Sequence, residues 1–155
     1  MGFAQKAGLA TIASLLCTAQ IMPETRSLAQ ELPAAEDGHV EELTPHTFGE
    51  FVLNSNLPVV VDFSTAWCVP CRQLKPIYEQ VCVDLRGQVR CASYDAHQDD
   101  YAVSRSYGIN DGFPTVIPFC RGVPGEELHL ISLETFRMDE TVLMQGMKEL
   151  VDSCQ

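Results

Sequence analysis

The run Pro58-Val59-Val60-Val61-Asp62-Phe63 constrains the fold of this 155-residue chain more than any other stretch. It is β-branched and almost wholly apolar, which suits a central strand covered on both faces. Shortly after it comes Trp67-Cys68-Val69-Pro70-Cys71, where strand character gives way to helical periodicity. Two cysteines two residues apart at such a junction can close a small disulfide or open to a dithiol, so the spacing points to redox chemistry. A structural disulfide and half of a zinc site are the competing readings. Zinc usually needs two further Cys or His ligands at matching spacing, and the sequence has neither a second CxxC nor an HxxxH. No metal is expected.

The length corresponds to about one domain with a core of its own. A formal charge of -11, with only ten Lys and Arg in total, argues against nucleic acid and against an anionic membrane surface. Both need clustered basic residues to displace counterions.

The N-terminus differs from the rest. Lys6 is the only charge before Glu24, and the residues between are mostly apolar. A short positive start, an apolar stretch and then Ser27-Leu28-Ala29 read as an export signal over 1–29, cleaved before Gln30, with cleavage after Ala19 as the other candidate. An uncleaved anchor through 7–22 and an organelle transit peptide are the rivals, although the stretch is short and diluted by Thr, Ser and Gln for a spanning helix, and a transit peptide should carry more Arg. A cytoplasmic location is the remaining alternative to a periplasmic or secretory-pathway one. Residues 30–39 carry Pro and Gly among polar residues and read as a linker, leaving 40–155 as the domain. After cleavage no membrane contact is expected.

Within the domain, Val40–Leu43 is a strand, and Thr44-Pro45 offers an N-cap with proline at the first helical position ahead of Phe48, Phe51 and Val52. Leu74, Ile77, Tyr78, Val81 and Leu85 form one helical stripe, which Pro76 should kink. Strands follow over Val89–Tyr94, Thr115–Phe119 and Leu128–Ile131, with a helix over Tyr101–Tyr107 and a last one from Asp139 to about Val151. The order is that of an α/β sandwich: a central mixed sheet of four to five strands with helices on both faces. Pro118 is awkward in an internal strand and implies a local bulge. Cys82 and Cys91, inside regular elements, read as small buried hydrophobes, while pairing of Cys120 with Cys154 stays open. His39, His46, His97 and His129 are scattered and read as surface or packing residues.

Taken together, Val60-Val61-Asp62-Phe63, Trp67-Cys68-Val69-Pro70-Cys71, Lys75-Pro76, Tyr107-Gly108-Ile109 and Phe113-Pro114-Thr115 resemble the thioredoxin family in order and approximate spacing. The resemblance covers about residues 40–152 and implies the thioredoxin fold. It also implies a thiol–disulfide oxidoreductase acting on protein cysteines, with protein substrates and a redox partner protein, no dissociable cofactor, and a monomer. Cys68, at the helix start, would be the attacking thiolate and Cys71 the more buried, resolving one. Pro70 and Pro76 would be structural.

Asp62 is expensive to bury ionised, so its pKa should be raised. The resemblance implies that it lies beneath the disulfide and relays a proton to the resolving thiol; a solvated strand edge is the plainer reading. Pro114 matches the family's cis-proline, which with Trp67, Phe113 and Ile109 would line the groove for an extended substrate segment. An ordinary turn is its alternative.

Several positions depart from thioredoxin proper. Ser64 stands where an aromatic residue is usual, Ser93 replaces a buried Lys, and Val69-Pro70 replaces Gly-Pro. Tyr94-Asp95-Ala96 is closer to the strand end of protein disulfide isomerase domains, and Asn110-Asp111-Gly112 adds a residue before the proline. Pro70 favours reduction of substrates; oxidation, isomerisation and a redox-inactive client-binding module are the alternatives.

Overall fold

The computed structural model describes residues 39–110, 112–128, 131–132 and 137–154. The leader expected over 1–29, and the linker up to residue 38, lie outside the described residues. The elements are β1 (Val40–Leu43), α1 (Phe48–Leu53), β2 (Val59–Ser64), α2 (Val69–Asp84), β3 (Arg90–Asp95), a 3₁₀ turn (Ala96–Asp99), α3 (Ala102–Ser106), β4 (Thr115–Cys120), β5 (Val123–Pro124), β6 (Ile131–Ser132), β7 (Arg137–Met138) and α4 (Glu140–Ser153).

β2 sits in the middle of a five-stranded sheet of order β1-β3-β2-β4-β5. It runs parallel to β3 and antiparallel to β4, so the sheet is mixed. Alternate residues of β2 feed two cores, as a strand's period of two requires. Val60 joins Leu74, Tyr78 and Val81 of α2 and Leu143 and Met147 of α4 on one face. Val59, Val61 and Phe63 join Phe48 and Val52 of α1 on the other, with Val103 of α3 packed alongside. Every β2 residue from Val59 to Phe63 is therefore buried, which is why the strand is written without polar alternation. Asp62 shares the parity of Val60, so its carboxylate lies on the α2 side.

α2 is tied to the sheet by a polar contact inside its apolar stripe. The Tyr78 hydroxyl reaches Val60 O at 2.8 Å on β2 and Ala92 O at 3.0 Å on β3. Burial, with the Asp62 charge nearby, holds the phenol's pKa well above its ordinary value. Pro76 lies within α2, which continues through it to Asp84.

Cys82 and Cys91 are not free hydrophobes. They form a disulfide that joins α2 to β3, with Cα atoms 6.1 Å apart. The buried stripe of α2 brings Cys82 onto the strand that carries Cys91, a proximity that sequence separation alone does not reveal. Cys120 and Cys154 form another, joining the end of β4 to the C-terminal cap of α4.

Pro118 needs no bulge. The β2–β4 register runs unbroken from Val59↔Phe119 to Phe63↔Thr115, with Pro118 opposite Val60. Its carbonyl accepts from Gly125 N, on the side away from β2. The N–H that proline lacks would point the same way, past the end of the two-residue β5, so no bond to β2 is lost.

Smaller differences from the sequence expectation have local causes. The first helix starts at Phe48 because Thr44 to Thr47 form a turn, with Thr44 O accepting from Thr47 N and Phe48 N. The segment before α3 splits because Asp100 and Tyr101 take left-handed φ of 54° and 65°. The hairpin after β4 closes at once through Arg121 (φ 52°) and Gly122 (φ 79°), the signature of a type I′ turn. The chain then follows β4 through Leu128 N to Val116 O rather than forming a strand from Leu128. Residues 129 and 130 of that expected strand lie outside the described residues.

Candidate functional site

The end of β2 passes through Thr65 to the start of α2, and Cys68 is the residue at that start. Its backbone is extended (φ -70°, ψ 110°), as an N-cap's should be, and its Sγ accepts from Cys71 N at 3.1 Å. Pro70, in the first turn, lacks an N–H that would have had no partner within the helix. Cys68 and Cys71 are joined as a disulfide, Cα atoms 5.3 Å apart. Opening it would leave a sulfur at the positive end of a 16-residue helix, where free amides and the dipole favour a thiolate. Both cysteines are buried, at 8% and 6% exposed, so burial does little to tell attacker from resolver.

Asp62 is 5% exposed, and its Oδ1 is buried with no hydrogen-bond partner among the described residues. Burial raises its pKa from 3.8 to about 7, opposed in part by the positive charge of Lys75. It is a buried strand residue, not a solvated edge. Asp62 and Cys71 both line a cleft of about 1140 Å³ between α2 and the β1–β3 side of the sheet. Ser93, paired with Asp62 across the β2–β3 ladder, lines it too.

On the other side, the Phe113–Pro114 peptide bond is cis. Trp67 and Val69, on either side of Cys68, are among the large exposed apolar residues, Trp67 at 58%. Trp67 meets the His97 ring edge-on at 4.9 Å. His97 lies 6.1 Å from Tyr101, whose ring lies 6.1 Å from Phe113. This aromatic arc joins the segment before Cys68 to the segment before Pro114. Sequence reading found its two ends and missed His97 and Tyr101, since no spacing rule links a 3₁₀ turn to either motif. Ile109 departs from its expected place: it is buried in the core beneath α1 and α3 and does not form the rim.

The family model described as Thioredoxin matches residues 39–130. The chain belongs to the thioredoxin family. Among curated relatives, it is 42% identical over 85 residues to protein disulfide-isomerase like 2-2 of Arabidopsis thaliana, covering 55% of this chain and 19% of that protein. It is 41% identical over 80 residues to a thioredoxin of Rickettsia bellii, covering 52% of this chain and 74% of that one. The chain thus spans about a fifth of the isomerase-like relative and about three quarters of the thioredoxin. Solved structures agree on the fold. A mutant thioredoxin from Halobacterium salinarum superposes with a TM-score of 0.61 at 23% identity, over 76% of this chain and 95% of that one. The Trx4 domain of ERdj5 gives 0.60 at 24%, over 74% and 96%. In this thioredoxin-family domain, the site consists of a disulfide at the start of α2 and a buried carboxyl group in the cleft behind it.

Proposed function

We propose that the protein is a thiol–disulfide oxidoreductase that reduces disulfides in exported proteins. The observation that carries this reading is the Cys68–Cys71 disulfide at the start of α2, within a domain of the thioredoxin family.

In the reduced protein, the Cys68 thiolate attacks one sulfur of a substrate disulfide. A mixed disulfide forms and the other substrate sulfur leaves as a thiolate. Asp62 takes the proton of the Cys71 thiol, whose sulfur then attacks Cys68 Sγ. The bond to the substrate breaks, the second substrate sulfur leaves, and the Cys68–Cys71 disulfide closes. The substrate gains two electrons, and a dithiol donor must supply two more to the protein, itself becoming a disulfide. A carboxyl group with a pKa of about 7 suits such a proton exchange near neutral pH. Trp67, Phe113 and Pro114 would border the entry to Cys68 and hold an extended substrate segment.

Export is supported by the leader pattern and by two further disulfides, Cys82–Cys91 and Cys120–Cys154, which persist in oxidising compartments. No described helix is long and apolar enough to cross a membrane. N-terminal sequencing of the exported fraction should begin at Gln30 or Gln20; an intact Met1 in the cytosol would defeat export. The isomerase-like relatives favour a second reading, oxidation or isomerisation of the same clients.

Two measurements decide the chemistry. Insulin reduction with dithiothreitol should proceed with the wild type and fail with Cys68→Ser; equal turnover would remove the cysteines from catalysis. The potential of Cys68–Cys71 against glutathione should lie near the reducing end, at about -270 mV, whereas about -120 mV would reverse the direction of electron flow.

A further inference from the structure

The cleft behind Cys71 is larger than proton exchange requires, and its composition is lopsided. Five carboxylates line it, those of Glu41, Glu42, Asp62, Glu79 and Asp95, against the cations Arg72 and Lys75. Lys75 is partly engaged, its Nζ 3.7 Å from Glu79. Asp62 lines the floor of the cleft, and the Oδ1 of that carboxyl group is buried with no hydrogen-bond partner among the described residues. Beside it the β3 position is taken by Ser93, whose short side chain leaves the space open. A buried acceptor without a donor is unusual enough to call for an occupant.

An anion is disfavoured by the carboxylates. Among the described residues, no group of three His, Cys, Asp or Glu side chains is placed to hold a metal ion. An excess of carboxylates around an unpaired acceptor favours a positively charged group that carries its own donors and is slim enough to pass between α2 and β1. We propose that this cleft binds an alkylammonium group, its N–H donors meeting the Asp62 carboxylate and its methylene stem lying along the β1–α2 wall. The group can come from a small free amine or from a lysine side chain of a protein bound at the cysteines. The ammonium site rests on the cleft and concerns the oxidised protein as much as the reduced one; only the lysine source rests on the proposed binding of proteins at the cysteines.

The test follows the Asp62 carboxyl carbon by NMR as a function of pH, in the oxidised full-length protein, with n-butylammonium as probe. An ammonium that binds only the ionised form lowers the Asp62 midpoint by about one pH unit at ten times its half-saturating concentration. Tetramethylammonium, which has the charge but no donors, should leave the midpoint where it is. At fixed pH, butylammonium should also shift the backbone amide resonances of residues 64 and 93, and Asp62→Asn or Ser93→Leu should abolish those shifts. A short lysine peptide, with its norleucine analogue as control, separates the sources: an effect of the peptide assigns the site to protein lysines, and an effect of butylammonium alone assigns it to small amines. No midpoint shift with either probe, or amide shifts undiminished in Asp62→Asn, would overturn the proposal.

Discussion

Replacing Asp62 with Asn should stabilise the oxidised protein, and only at high pH. The carboxyl group has a pKa of about 7 in the fold against 3.8 when unburied. Below pH 3.8 both the folded and the unfolded chain hold the proton, and burial carries no charge penalty. As pH rises from 3.8 towards 7, the unfolded chain releases the proton while the folded chain keeps it, so stability falls. Above 7 the folded chain carries a buried carboxylate and the loss is complete. At about 1.4 kcal/mol per pH unit, the gap corresponds to about 4 kcal/mol. The asparagine side chain has nearly the same shape and never ionises. Urea unfolding of both oxidised proteins from pH 4 to pH 8.5 should give nearly equal stabilities at the acid end. Near pH 8 the variant should lead by about 4 kcal/mol, a midpoint shift of about 2 M at a typical slope for a small domain. Other titrating groups are shared by the two proteins and cancel in the difference. A difference that stays flat across this range, or a wild type that gains on the variant as pH rises, would refute the assignment of Asp62 as a buried, desolvated acid.

Tyr78→Phe removes a hydroxyl that reaches two strand carbonyls while leaving the ring buried, and should lower stability by about 1–3 kcal/mol in the same unfolding assay. Replacing Cys120 and Cys154 together by serine opens a bridge of sequence separation 34 and should cost about 4 kcal/mol, compared with about 3 kcal/mol for the Cys82–Cys91 pair at separation 9; losses under about 1 kcal/mol would show that neither bridge restrains the unfolded chain. Gly122→Ala should destabilise more than Gly87→Ala, because both have φ above 70° but only Gly122 would drive its new Cβ to 2.9 Å from Leu53. Equal thermal midpoints for these two variants would show that the Leu53 contact yields without penalty.

Much of this fold could be read before any coordinates, because its signals are local. The first strand begins and ends where its β-branched start and Thr44-Pro45 placed it, and β2 follows from a continuous apolar run. The Cys68–Cys71 pair was legible for the same reason, its signal lying in a spacing of three and a strand just before it. What escaped was information held between elements. Cys82 and Cys91 look like core residues one at a time, and only the packing of α2 on β3 makes them a pair. Pro118 looks like a fault until the short β5 shows which side its nitrogen faces. His97 looks like any surface histidine until the 3₁₀ turn sets it against Trp67. Ile109 was misplaced because a motif fixes where a residue stands in the chain but not which way its side chain turns.

The six cysteines of the described domain are all bonded in pairs, and six cysteines admit fifteen complete pairings. A chain made with all of them reduced must therefore choose among these while its own Cys68–Cys71 pair is still being assembled. Until that choice is made, the molecule is itself a substrate for the exchange chemistry proposed for it. A scrambled preparation would retain the right mass and a full set of disulfides, but most wrong pairings lose the Cys68–Cys71 bridge at the head of α2, so the share of molecules that keep it reports how faithfully the chain was oxidised.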